Sequence, residues 1–200
     1  MFNFFISVWL KFFFVLTPFF ALSMFLSMTQ GYTHAQQRSL AFRVMGAATA
    51  ICLLLFFFGN AIFTVFGITL DAFRVGTGGL LYLSAITLIR SSPVADALSA
   101  EQDIAVVPLA MPIIVGPATV GTLLVLGAEI VSPVRKAVGC LALLLALASI
   151  GTILLLASSI ERLLGRRGLN ILSKITGLVL AALAAQMILT GVGHYFGIGT

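Results

Sequence analysis

Six long apolar runs dominate the chain and leave it one kind of solvent. They cover about residues 3–28, 41–66, 72–90, 104–127, 136–159 and 171–193. Each is near the roughly 20 apolar residues that a helix needs to cross a bilayer core. Only 8% of the 200 residues are charged and 60% are hydrophobic, whereas soluble domains carry roughly 25% charged residues. So few charges cannot cover a water-soluble fold of this size. The expected fold class is an all-α membrane protein with six transmembrane helices, partnered first of all by the lipid bilayer. The remaining residues are too few for an extramembrane domain.

The connections set the topology. A polar linker, "SSPVADALSAEQD" (about 91–103), separates a first half, about 1–90, from a second, about 104–200. Arg38, Arg43, Arg90, Arg162, Arg166, Arg167 and Lys174 fall on one side of the membrane; Lys11, Arg74, Arg135 and Lys136 fall on the other. Basic residues concentrate on the cytoplasmic side, so both termini are expected outside. Lys11 fits poorly, close to the middle of the first run. It either snorkels to the interface or the span begins later.

The composition also excludes functions. The formal net charge is +5, but the basic residues sit at span ends with no aromatic-interleaved stripe, so nucleic acid is not an expected partner. Cys52 and Cys140 stand alone in apolar runs, where cysteine packs as a small hydrophobe. His34 and His194 lack ligand spacing and read as surface residues. No P-loop, GxSxG or HExxH motif is present, and no metal, cofactor or enzymatic activity is expected. The N-terminal run lacks an AxA-like cleavage site and reads as a retained first span.

One run is built to break. "VVPLAMPIIVGPATVG" (106–121) places Pro108, Pro112 and Pro117 in one apolar stretch, with Gly116 beside the last. Proline removes a helix hydrogen bond and clashes with the preceding turn. Each backbone group left unpaired in hydrocarbon costs several kcal/mol, so such a break survives only in contact with protein or a polar cavity. A simple proline kink is the alternative. "LTPFFALSMFL" in the first run is a weaker counterpart: Pro18 aligns with Pro112, 94 residues on (112 − 18), and Ser23 then falls opposite Pro117. In the third and sixth runs Thr77-Gly78 and Thr176-Gly177 align 99 residues apart (176 − 77). Three spans per half invert the second half relative to the first. Paired interrupted segments in two such halves point to a transporter's binding site. The half-helix starting after a break directs a partial positive charge inward, and the one ending before it offers carbonyls.

The expected substrate-binding residues are therefore Thr17, Pro18, Ser23, Pro112, Gly116, Pro117 and Thr119, with Gln186 from the sixth run. Thr122 is a further polar residue within a span. Gln186 serves equally as helix–helix glue; serine and threonine hydroxyls can also bond their own helix. No acid lies deep in a span. Asp103, opening the broken fourth run, is the ion-coupling candidate, with N-terminal capping as its ordinary role. Arg74 and Lys174 read as interfacial anchors, with a buried pairing between Arg74 and an acid as the alternative. Small residues, "GTGG" at 76–79 and "ALAA" at 182–185, permit close helix contact within the fold or across a homo-oligomer face alike.

"DIAVVPLAMPIIVGPATVG" resembles the signature of the MarC/SnatA family of multi-pass membrane proteins, and "FGITLDAFRVGTGGLLYL" and "LGRRGLNILSKITGLVLAALAAQMILTGV" resemble its third and sixth spans. The resemblance covers nearly the whole chain. It implies two inverted three-helix repeats with broken helices 1 and 4, related to LysE-type transporters, in a bacterial inner membrane. It further implies transport of small neutral amino acids of the glycine or alanine type, coupled to H+ or Na+. Thr17, Phe20 and Ser23 stand where the family's first span commonly has Asn, Gly and Pro, and Ala118 replaces a Gly. These departures point to an altered substrate site. A passive channel and a non-transporting scaffold remain the alternatives.

Overall fold

The computed structural model describes residues 2–90 and 115–197. The described residues hold seven helices and no strand: α1 (Phe2–Val15), α2 (Pro18–Met28), α3 (His34–Phe66), α4 (Leu70–Arg90), α5 (Pro117–Glu129), α6 (Pro133–Leu155) and α7 (Ala157–Tyr195). Five segments are long and apolar enough to cross a membrane: Phe2–Met28, His34–Gly59, Leu70–Arg90, Pro133–Leu155 and Ala157–Tyr195. α5 is a shorter apolar helix. It lies within the expected fourth run; Asp103, Pro108 and Pro112 fall outside the described residues.

Helix ends follow from local chemistry. Pro18, Pro117 and Pro133 each open a helix, where the missing N–H has no intrahelical acceptor to lose. A capping box starts α3: the Gln36 amide donates to Thr33 Oγ1 at 3.4 Å, and the Thr33 amide donates to Gln36 Oε1 at 2.9 Å. This cap starts α3 seven residues earlier than the apolar run does (41 − 34), because capping needs no hydrophobicity. Gly67, at φ 63°, ends α3 in the left-handed conformation that glycine tolerates. The basic stretch "ERLLGRRGLN", between the fifth and sixth apolar runs, is helical on both sides of a break at Gly165 (φ 62°, ψ 171°).

Lipid tails are as apolar as leucine, so burying apolar surface does little to hold membrane helices together; close packing does. α4 and α7 show how. A Cβ on Gly78 of α4 would lie 3.0 Å from the Ala184 carbonyl oxygen and 2.6 Å from the Ile188 side chain. A Cβ on Gly177 of α7 would lie 3.0 Å from the Ala85 carbonyl oxygen and 2.9 Å from the Ile89 side chain. As α4 advances from 78 to 85 its neighbours on α7 recede from 184 to 177, so the two helices run antiparallel. The contacts are also reciprocal at one offset, since Gly177, Ala184 and Ile188 stand 99 residues beyond Gly78, Ala85 and Ile89 (177 − 78). The same offset carries Arg74, Thr77, Gly78, Leu81 and Ala85, all buried on α4, onto Ser173, Thr176, Gly177, Leu180 and Ala184, all buried on α7.

The main apolar cluster joins α1, α2, α3, α5 and α6 through residues such as Phe12, Leu22, Phe56, Leu123 and Leu147. Leu54, Phe57, Phe58, Leu141 and Leu178 point outward, as contact with lipid requires.

Candidate functional site

The first span comes apart at Thr17. This residue takes φ 47° and ψ 60°, a left-handed conformation that is uncommon for a residue with a Cβ. Pro18 follows as the first residue of α2, buried against the core. α2 begins its own ladder only at Ala21, whose amide donates to the Thr17 carbonyl at 2.9 Å. The break frees the Val15 carbonyl. Thr119, in the first turn of α5, donates its hydroxyl to that oxygen at 3.2 Å. The carbonyl end of one interrupted helix is thus satisfied by the opening turn of another, as an unpaired group in hydrocarbon demands.

Both half-helix starts border one cavity of about 210 Å³. Thr17 and Phe20 line it from the first break, and Gly116, Pro117, Ala118 and Thr119 from the start of α5. Ser84 and Leu88 of α4 and Leu180 of α7 close it. The amides of Ala118 and Thr119 have no intrahelical acceptor, since the α5 ladder begins with the Val120 amide on the Gly116 carbonyl at 2.9 Å. Amides at such an N-terminus favour an anion or a carboxylate. The cavity offers these donors and few charges, which suits a small, overall neutral guest.

Four expected residues therefore meet: Thr17, Gly116, Pro117 and Thr119. Two do not. Ser23 donates to the Phe19 carbonyl of its own helix at 3.0 Å and borders a different chamber. Gln186, expected to find a partner inside the membrane, is exposed at the rim of a third chamber and has no hydrogen-bond partner among the described residues. A side chain at the edge of a cavity can reach solvent, so its amide needs no protein partner. α2 and α5 open on Pro18 and Pro117, 99 residues apart (117 − 18), the offset that also relates the α4 and α7 glycines; the expected pairing of Pro18 with Pro112 involves a residue outside the described ones.

The two further chambers lie at opposite ends of the bundle. The first, about 360 Å³, is bordered by Ser23, Leu26, Ser27 and Gln30 after the first break, and by Asn170 at the start of the last span. The second, about 220 Å³, is bordered by Thr122, Val125, Leu126 and Glu129 of α5, with Lys11, Arg74, Gln186 and Thr190. Asn170 and Thr190 both stand on α7, 20 residues apart (190 − 170), which at 1.5 Å per residue is about 30 Å. The 99-residue offset carries Ser23, Leu26, Ser27 and Gln30 onto Thr122, Val125, Leu126 and Glu129 (122 − 23).

A charged cluster that sequence reading placed only as scattered end residues closes one side of the second chamber. Arg74 is buried, not an interfacial anchor. Its Nε donates to Glu129 Oε1 at 2.9 Å and its Nη1 to Asp71 Oδ1 at 2.7 Å. His194 Nδ1 lies 3.1 Å from Nη1; a guanidinium only donates, so this nitrogen accepts. His194 is a surface residue, its side chain 47% exposed, that also touches this cluster. The Asp71–Arg74 spacing of three residues was a visible helical pair. Glu129, 55 residues from Arg74, carried no such signal. At the positions equivalent to Asp71, Arg74 and Glu129 the opposite end has Asn170, Ser173 and Gln30 (170 − 71). There the buried Asn170 Oδ1 and Ser173 Oγ have no hydrogen-bond partner among the described residues.

The profile described as "MarC family integral membrane protein" matches residues 2–196. The chain belongs to the MarC family. Its relatives span the same length. It is 34% identical to the UPF0056 membrane protein MJ1677 of Methanocaldococcus jannaschii, covering 95% of this chain and 96% of that one. It is 31% identical to the UPF0056 inner membrane protein YhgN of Escherichia coli, over 89% and 90% of the two chains. A UPF0056 membrane protein of Aquifex aeolicus is 29% identical, over 94% and 91%. No solved structure matches the chain. This MarC-family chain is accordingly a multi-pass integral membrane protein.

Proposed function

We propose that this MarC-family protein is a secondary transporter of small neutral solutes, with small amino acids of the glycine or alanine type as the best-suited cargo. One observation carries the reading: the break in the first span and the N-terminus of α5 border a single cavity, with the Val15 carbonyl at the break bonded by Thr119 of α5. The cavity's volume, its free first-turn amides and its low charge suit a compact guest with a carboxylate.

Two inverted three-helix repeats, with six spans in all, are part of the same proposal. An antiparallel helix pair with reciprocal contacts at one offset is what a two-fold axis in the membrane plane produces. The equivalent chambers at the two ends extend this symmetry to two mouths. Alternating access then amounts to exchanging the conformations of the halves, which opens one mouth as the other closes. The Asp71–Arg74–Glu129 cluster closes the mouth on the terminus side; its uncharged equivalents leave the other mouth less constrained. Placement in a bacterial inner membrane follows YhgN by similarity, and the basic side is assigned to the cytoplasm. H+ or Na+ coupling and a homo-oligomer complete the proposal.

Purified protein in liposomes is expected to exchange labelled glycine or alanine with saturable kinetics. Gly116→Leu, which fills the cavity wall, is expected to reduce that exchange at least tenfold with little change in yield. Thr119→Val removes one buried hydrogen bond, worth about 1 kcal/mol net and more where its acceptor stays unpaired. It is expected to lower both melting temperature and flux. A flux that never saturates and ignores both substitutions would identify a passive channel instead. Labelling of an added terminal cysteine by a membrane-impermeant reagent tests the topology: external labelling at both ends is expected, and protection at the C-terminus would reverse it.

A further inference from the structure

Lys11 lies in α1, four residues before the Val15 carbonyl at the break. It is half-buried and borders the chamber of about 220 Å³. Among the described residues it has no ion-pair partner within 4.0 Å and no hydrogen bond. A lysine inside a membrane span is costly, and such residues face water-filled cavities or partners and mark binding or transport pathways. Arg74, the other cation of this chamber, is already held by Glu129 and Asp71. Both Arg74 contacts to Glu129 fall on Oε1, which leaves Oε2 without a partner among the described residues. Glu129 borders the same chamber.

The chamber thus exposes one uncommitted ammonium and one uncommitted carboxylate oxygen. Its charges balance once Asp71, which pairs with Arg74 from outside the chamber lining, is counted: Lys11 and Arg74 against Asp71 and Glu129. A guest with a net charge would upset that balance in a site where little water screens it. A guest carrying both signs would not. Val15 and Leu81 border this chamber and the broken-helix cavity alike, so the two lie in series.

We infer that the Lys11–Glu129 chamber is a second binding site for a small zwitterion, with Lys11 Nζ donating to its carboxylate and Glu129 Oε2 accepting from its ammonium. The inference rests on the transporter reading and adds to it a site outside the helix break. It also gives a role to a lysine inside α1, which is helical from Phe2 to Val15.

The test is equilibrium dialysis of the full-length protein in detergent with labelled alanine. Propionate and ethylamine serve as probes carrying only one of the two charges. Wild type is expected to bind alanine, with each single-charge probe competing at least tenfold more weakly than unlabelled alanine. Lys11→Met keeps the length and apolar stem of the side chain; it is expected to weaken alanine binding at this site at least tenfold, leaving one of two bound alanines per protein, and to abolish competition by propionate there. Lys11→Arg is expected to restore part of both. An unchanged elution profile on size exclusion shows that the variants fold. Wild-type affinity in Lys11→Met, together with loss in Thr119→Val, would overturn the second site while leaving the transporter reading intact. No alanine binding by wild type at all would overturn both.

Discussion

Arg74→Met is expected to destabilise the protein by about 3 kcal/mol, the low end of what removing one partner of a buried ion pair costs. Arg74 is 8% exposed, while the Asp71 and Glu129 side chains are 30% and 33% exposed. The abandoned carboxylates can therefore recruit some water, which keeps the cost from the top of the range. Glu129→Gln is expected to cost less, about 1.5 kcal/mol, because it removes one charged hydrogen bond and leaves Arg74 paired with Asp71. The double variant Arg74→Met/Glu129→Gln should fall short of the summed single effects by at least about 1 kcal/mol, as directly contacting residues do. Reversible unfolding of the purified protein, followed by circular dichroism, measures all three. Strict additivity would mean that the cluster does not act as a unit. In liposomes, loosening this cluster is also expected to shift the protein toward the conformation open on the terminus side, seen as faster labelling of a cysteine placed at Thr190.

Gly127→Ala is expected to be the most damaging single-methyl change. A Cβ there would sit 2.1 Å from the Phe56 carbonyl oxygen of α3, and one on Gly59 would sit 2.5 Å from the Leu124 carbonyl oxygen of α5. Both obstacles are backbone, so no side chain can turn aside. α3 and α5 would have to separate, breaking contacts along their whole crossing. Overpacking usually costs about 1–3 kcal/mol and occasionally more; here about 3 kcal/mol or more is expected, seen as a large loss of folded yield. Gly46→Ala is the matched control. Nothing lies within 4 Å of its added Cβ, and it stands inside α3, where alanine favours the helix by about 1 kcal/mol. A Gly127→Ala protein that melts like wild type would show that α3 and α5 do not approach this closely.

The apolar runs announced the spans because hydrocarbon imposes a length and forbids stray charges. Proline announced the break at Pro18 and the start of α5 because losing an N–H is a local event. Other features were out of reach for equally physical reasons. The α3 start depends on a Thr33–Gln36 exchange that no hydropathy window registers. The pairing of Pro18 with Pro112 rests on local similarity alone, whereas the correspondence of α4 with α7 rests on packing. The offset of 99, already present in the two Thr-Gly pairs, became decisive only when Gly78 met Ala184 and Gly177 met Ala85. Ser23 and Gln186 qualified by composition alone, and helix rotation then turned them toward other chambers.

By itself, then, the sequence determined the solvent, the helical class, the family and where the first span must break. These are properties of single segments: their length, their polarity and the missing amide of a proline. Only the tertiary structure decided that Thr119 caps the carbonyl freed at Val15, that Arg74 gathers Asp71, Glu129 and His194, and that Lys11 opens onto a cavity. Each of these depends on which faces of distant helices meet, and a side chain's partner across a bundle leaves no periodic mark in either strand of sequence that supplies it.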